Sequence, residues 1–382
     1  MRRSVRLAFG AGAMLGLSTL AAPVVAGAEP APGPSFFGGG ANVVFVQTDN
    51  TAGNQVVAYD RAPGGTLSLA GTYNTGGLGG QLNGSVVDHL ASQGSLTYDQ
   101  RSNLLYAVNA GSNTVSVFSV HGDRLTLRQV LNSGGSFPVS VAVHGNLVSV
   151  LNAENGASVQ EFVSFFGYLF AIPGANRSLG LNPAATPQFV NTPGQVAFSP
   201  DGSKLIVTTK ANGSDIDVFS VGRFGQLSPS PVVNPEPGAV PFAISFDAAG
   251  HLVIAEAGTN ALATFALSPG GTVTPISAVG SGQAATCWVA QAQGFLYASS
   301  AGSADVTQYA ESPGGVLGLA NQTGTDPGTV DAAASANGQY LYVQTGGNGV
   351  VDEFRVGPNG TLAPIGSVTV AGAIGGEGIV AS

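Results

Sequence analysis

The sequence predicts an all-β chain, a seven-bladed β-propeller of four-stranded blades, and three observations predict it. A short apolar strand followed by a polar turn recurs seven times, as VFVQTDN from Val44, LYAVNAG from Leu105, VSVLNAE from Val148, IVTTKAN from Ile206, VIAEAGT from Val253, YASSAGS from Tyr297 and YVQTGGN from Tyr342. The residues just after these strands, Thr48, Asn109, Asn152, Lys210, Glu256, Ser300 and Thr345, are spaced by 61, 43, 58, 46, 44 and 45. Four of those spacings match one propeller blade of about 40–50 residues. The third observation is a pair of incomplete ends that complement each other.

Taken in order, the first unit (42–73) holds three strands and lacks an innermost one. The next five are complete, and the fourth shows the pattern. Residues 195–198 are short and apolar, as an innermost strand requires, and Pro200-Asp201-Gly202 is a hairpin turn, because Asp-Gly accepts positive φ. Residues 204–208 form the second strand, and 215–219 alternate as a half-exposed third strand does. Residues 226–233 are assigned to the outer strand, where proline is tolerated. After the seventh unit one further strand remains, GEGIVAS from Gly376 to Ser382. Added to the first unit, it completes the seventh sheet and closes the ring.

The chain has 382 residues, of which 57 are Gly, usage that suits strands and tight turns rather than helical bundles. Arg2, Arg3 and Arg6 precede an apolar run and the small residues Ala26-Gly27-Ala28. Residues 1–28 are therefore expected to be a signal peptide cut near Ala28, with export by the general or the twin-arginine route. Residues 29–41, rich in Pro and Gly, are expected to be a flexible lead-in, and 42–382 the propeller. The localisation expected is extracytoplasmic. No later stretch is apolar for long enough to span a bilayer. Without the leader the chain carries nine Lys and Arg against 21 Asp and Glu, a net charge of −12. That disfavours nucleic acid and anionic membranes as partners. Cys287 is alone and lies in an apolar run, so a buried free thiol is expected.

The two long spacings place insertions at 74–93 and 174–194, both entering an innermost strand on the same face. They are expected to form a partial lid over the funnel. That top face gathers the candidate polar groups. The first insertion supplies Asp88, His89 and Gln93, and the second Arg177. The turns after second strands supply Asn109, Asn152, Lys210 and Glu256, with the last two within reach of each other. Starts of innermost strands supply Gln195, Asp331 and Glu377. A structural Ca²⁺ or Mg²⁺ near Asp331 and Glu377 is the one cofactor the oxygen-rich set allows. Motifs of the serine and zinc hydrolases are missing. Asp215 and Asp217 read as solvated, and the aromatic cluster Phe165, Phe166, Tyr168 and Phe170, at a hairpin on the opposite face, reads as core or inter-blade packing ahead of a partner patch.

The unit LLYAVNAGSNTVSVFSV, from Leu104 to Val120, resembles the YVTN-type repeat. With seven units and PDG-type turns, the chain resembles the lactonase family of seven-bladed propellers, which includes 6-phosphogluconolactonases and carboxymuconate lactonising enzymes. That resemblance implies a Pro-Arg-His run before the fifth innermost strand and an Asn-Glu pair after the second strand, with Arg, His and Glu acting on the lactone. Here the run reads Pro241-Phe242-Ala243, and the second site reads Ala255-Glu256-Ala257. Three readings follow. In the first, the catalytic set has decayed and the top face binds a small molecule, glycan or protein. In the second, the chain is an active lactone hydrolase or isomerase, with Glu256 as general base, Arg177 or Lys210 stabilising the oxyanion and His89 moving the proton. The third is a structural surface protein.

Overall fold

A computed structural model of the chain describes residues 42–382. The expected signal peptide and lead-in lie outside the described residues. Seven four-stranded antiparallel sheets follow one another. Blade four, for instance, consists of Val196–Phe198, Lys204–Thr208, Asp215–Ser220 and Val232–Pro235. Its outer strand starts six residues later than expected. Pro229 and Pro231 have no N–H to donate, so pairing resumes only at Val232, which faces Val218.

The ring closes as the complementary ends require. Ile379–Ala381 pairs antiparallel with Val43–Gln47, with Val44 opposite Ala381 and Val46 opposite Ile379. The first blade thus takes its innermost strand from the C-terminus, in the order Ile379–Ala381, Val43–Gln47, Gln55–Arg61, Leu67–Asn74.

Second strands are mainly apolar because both of their faces are covered by neighbouring blades: Leu104–Asn109, Leu252–Glu256 and Tyr340–Thr345 are buried at every position, with polar residues only at their ends. Outer strands alternate instead, as in Leu67–Asn74 and Val273–Gly280. Between sheets, apolar clusters such as Ile206, Ile216, Val218, Ile254 and Phe265 join one blade to the next. Among the described residues no helix is long and apolar enough to cross a membrane.

Two side-chain expectations fail. Asp217 is buried, with Oδ1 lacking a partner, and burial, with Asp215 adding repulsion, pushes its carboxyl up to about 7. The third strand of blade four is covered by its neighbour where solvent was expected. The aromatic cluster fails in the other direction. Phe166 is 82% exposed, and Phe165, Tyr168 and Phe170 are also exposed. Phe166-Gly167 is the turn between Ser158–Phe165 and Tyr168–Ser178, so these rings stand beyond the edge of the sheet.

Candidate functional site

The first insertion enters the funnel rather than capping it. Leu82 and Leu90 are fully buried, and Asp88, Ala91 and Ser92 nearly so. The loop is held from several blades at once. Gln93 donates Nε2–H to the Val289 carbonyl (2.9 Å) and accepts the Val289 N–H (3.1 Å), joining it to blade six. Trp288 Nε1 donates to the Ser92 carbonyl at 2.6 Å. The Ser140 hydroxyl from blade three donates to the Gln93 carbonyl at 2.7 Å. The loop also passes so close to the turn after Tyr340–Thr345 that a Cβ on Gly346 would lie 1.7 Å from the Val87 carbonyl oxygen. Only glycine fits there.

The second insertion packs on this plug. It carries a single turn of helix, Gln188–Asn191. Gln188 Oε1 accepts the Asn83 N–H at 2.8 Å, and Gln93 N–H donates to the Gly194 carbonyl at 3.1 Å. Together the two insertions wall one side of a top-face pocket of about 550 Å³. Its other walls are Lys210 from blade four, Val240, Phe242 and Gly258 from blade five, and Cys287, Trp288 and Gly302 from blade six. Phe242 meets Trp288 edge-on, with ring centroids 5.0 Å apart. Asp88, Lys210 and Cys287 are the ionisable groups of the lining, and the remainder is mainly apolar.

Lys210 lies in left-handed backbone (φ +52), just past the second strand Lys204–Thr208, and turns its side chain inward. Its ammonium donates to the carbonyls of Ala91 (2.6 Å) and Phe189 (2.7 Å) and to Thr192 Oγ1 (3.2 Å). All three protons are therefore committed to the two insertions. The ammonium also lies 5.1 Å from the centre of the Phe242 ring. Burial lowers its pKa to about 8 against the opposing pull of Asp88, Cys287 and Glu377. Cys287 is a free buried thiol, as expected, and burial pushes it up to about 12, so it is neutral.

Beneath the pocket lies a buried group of carboxyls. Asp88 accepts the Ala91 N–H at 2.8 Å. Glu377 accepts the Ser92 N–H at 3.1 Å as well as the Ser92 hydroxyl, and lies close enough to Asp88 for the two carboxyls to influence each other. Asp49 accepts the Glu377 N–H at 2.9 Å. Burial raises all of these: Asp49 and Asp331 to about 7, Glu377 well above its usual range, and Asp88 in the same direction. The Asp88 charge adds to burial in raising Glu377.

Of the expected site residues, then, Asp88 and Lys210 line the pocket, and the others are placed elsewhere. Glu256 ends its strand and turns to Thr259, whose hydroxyl donates at 2.8 Å, in a separate groove beside Glu236. It therefore makes no pair with Lys210. His89 packs against Gly375, with Nδ1 buried and unpartnered, and burial lowers its pKa. It is a packing group outside the pocket. Arg177 belongs to the outer strand Tyr168–Ser178 rather than to the insertion, and its guanidinium donates to the carbonyls of Ser228 (2.8 Å) and Leu227 (2.7 Å). It fastens blade three to blade four. Asn109 donates to Ser116 Oγ (2.8 Å) and accepts from Asn54 (3.1 Å), which joins blades one and two. Asn152 donates to the Ser133 carbonyl at 3.3 Å. Gln195 Oε1 accepts the Ile244 N–H, joining the innermost strands of blades four and five. Gln93, described above, is likewise a tie and not a ligand group. Asp331 and Glu377 are both buried, and among the described residues neither belongs to the one cluster of three His, Cys, Asp or Glu ligand atoms, which lies elsewhere.

The residues that sequence reasoning missed as pocket walls are Phe242, Trp288 and Val240. Phe242 occupies the position that the lactonase resemblance gives to its Arg, and it faces into the pocket. Val240 sits at φ +52, a costly conformation for a β-branched residue. Phe137 (φ +58), Ala285 (φ +57), Gly328 and Gly375 take the same left-handed position at the start of other innermost strands, so the turn recurs from blade to blade.

With this geometry in place, comparison with solved structures is informative. The periplasmic gluconolactonase of Pseudomonas aeruginosa superposes with a TM-score of 0.71 at 17% identity, over 88% of this chain and 98% of that one. A putative 6-phosphogluconolactonase from Bacteroides fragilis gives 0.68 at 17% identity, over 91% and 98%. One from Bacteroides uniformis gives 0.66 at 18% identity, over 89% and 98%. The fold is that of the lactonase-type seven-bladed propellers. No protein-family model and no curated protein sequence matches the chain.

Proposed function

We propose that this lactonase-like propeller is an exported binding protein that takes an apolar or amphipathic small molecule into its top-face pocket and does not hydrolyse it. One observation carries the reading. The position the resemblance gives to an oxyanion-stabilising Arg is Phe242, and the nearby cation, Lys210, spends its three protons on Ala91, Phe189 and Thr192. A lactone carbonyl entering here would find no arginine and no uncommitted lysine to stabilise developing charge. The expected base, Glu256, lines another groove. What the pocket does offer is about 550 Å³ of mainly apolar wall with an aromatic pair, Phe242 and Trp288, on one side.

Asp88 favours a second reading, in which the chain opens a lactone with Asp88, which lines the pocket beside Glu377, as the proton-transfer group. It would replace Glu256 in that role.

The chain has one Trp, and it lines the pocket. Tryptophan emission therefore reports binding without a label. Titration with a panel of apolar lactones, fatty acids and aromatic acids is expected to quench or shift that emission saturably for some members. A panel that leaves the emission unchanged overturns the binding reading.

A further inference from the structure

Among the described residues, three side chains with metal-ligand chemistry come together on the face opposite the pocket. The hairpin between Pro241–Phe246 and Leu252–Glu256 of blade five lies at the other end of the sheet from the pocket. Asp247 shapes it. Its Oδ1 accepts the N–H groups of Ala249 (2.9 Å) and His251 (2.6 Å), which leaves Oδ2 facing His251 Nδ1 at 2.6 Å. From blade six, Glu311 ends the third strand Asp305–Glu311 and reaches the same spot. One ligand atom from each of Asp247, His251 and Glu311 lies within 4.8 Å of the others, and among the described residues no second such group exists.

Two further observations point to a missing occupant. Glu311 Oε1 is shut off from solvent and has no hydrogen-bond partner. A carboxylate oxygen left so beside a second carboxylate is costly unless a cation or a proton sits between them. In addition, Gly315 passes over the imidazole in left-handed backbone (φ +79), where a Cβ would lie 3.1 Å from His251 Nδ1. No side chain therefore covers that nitrogen, whose partner is Asp247 Oδ2.

We propose that Asp247, His251 and Glu311 bind a divalent transition-metal ion of the zinc class, joining blade five to blade six. One imidazole nitrogen with two carboxylate oxygens suits a four-coordinate ion completed by water. Ca²⁺ and Mg²⁺ favour sets made wholly of oxygen. Because the ligands come from two blades, the ion would stabilise the folded ring by mass action.

The test uses untagged protein stripped with EDTA, titrated with ZnCl₂ by calorimetry and by thermal melting. One zinc per chain is expected, raising Tm by about 2–5 °C at 100-fold excess over Kd. His251→Gln and Glu311→Gln are expected to abolish both effects while melting like the stripped wild type. Absence of saturable uptake, or uptake unchanged in both variants, overturns the proposal. Co²⁺ added to the wild type provides a check that needs no variant. Visible absorption of a four-coordinate site is expected, and a spectrum no different from hydrated Co²⁺ contradicts it.

Discussion

Gln93 and Val289, 196 positions apart in the chain, exchange two hydrogen bonds, Nε2–H to the Val289 carbonyl and Val289 N–H to Oε1. Gln93 ends an insertion that enters blade two, whereas Val289 lies in the innermost strand of blade six. The pair mimics one step of a β-ladder and anchors the plug to the far side of the ring. Gln93→Ala leaves a buried N–H and a buried C=O without partners, which costs about 1–3 kcal/mol each at most. A lower melting temperature and faster amide exchange across residues 82–93 are expected, with the outer strands unaffected. Hydrogen-exchange mass spectrometry checks this.

Lys210 fastens the same plug from blade four. Lys210→Met removes the donor to Ala91, Phe189 and Thr192, and takes the only nearby cation away from Asp88 and Glu377. Breaking a buried charge arrangement from one side costs about 3–5 kcal/mol. The variant is expected to show the largest loss of Tm among single substitutions at the pocket, and thermal melting by circular dichroism reads it.

Acid should stabilise this protein over the range where many proteins weaken. Burial, first among the causes, pushes Asp49 and Asp331 from 3.8 up to about 7 and Glu161 from 4.5 up to about 8. Glu377 moves in the same direction. A carboxyl with a raised folded pKa keeps its proton preferentially in the native state. Its contribution is complete below about pH 4 and is lost as the pH rises through 7, up to about 4 kcal/mol for each of Asp49 and Asp331. Lys210, lowered to about 8, acts only above that pH. Tm is expected to fall between pH 5 and pH 8, and Asp331→Asn is expected to flatten the slope.

Ring closure rests on three residues opposite three, Ile379–Ala381 against Val44–Val46. Deleting 376–382 removes that strand and also Glu377, which receives the Ser92 and Asp49 contacts. The truncated chain is expected to lose cooperative melting or to aggregate, as size-exclusion chromatography and calorimetry would show. Melting like the full chain would contradict closure by this strand.

The architecture was legible because repetition carries it. Seven copies of strand and turn set the blade count, and GEGIVAS at the C-terminus matched the strand missing from the first blade. The site was less legible, because the direction of a side chain at a strand end depends on one or two residues of register. Glu256 and Lys210 align as repeats, yet Glu256 ends its strand and Lys210 lies two residues beyond its own, in left-handed backbone. One faces a lateral groove and the other the funnel. The plug was read as a lid because its glycines and polar residues hide a sparse apolar set. Leu82 and Leu90 are the buried pair that could have given it away. Arg177 was placed in a loop because nothing in 174–178 marks the continuation of the outer strand. The ligand set at Asp247, His251 and Glu311 joins two blades and was invisible to spacing.

The account stands or falls on whether the pocket holds a lactone without opening it. The direct measurement follows acid release and tryptophan emission together while the purified protein is mixed with δ-lactones of increasing apolar chain length. Saturable change in Trp288 emission with acid release no faster than the uncatalysed rate is the predicted result. Acid release above that rate, abolished by Asp88→Asn, would contradict it and make the chain a lactone hydrolase.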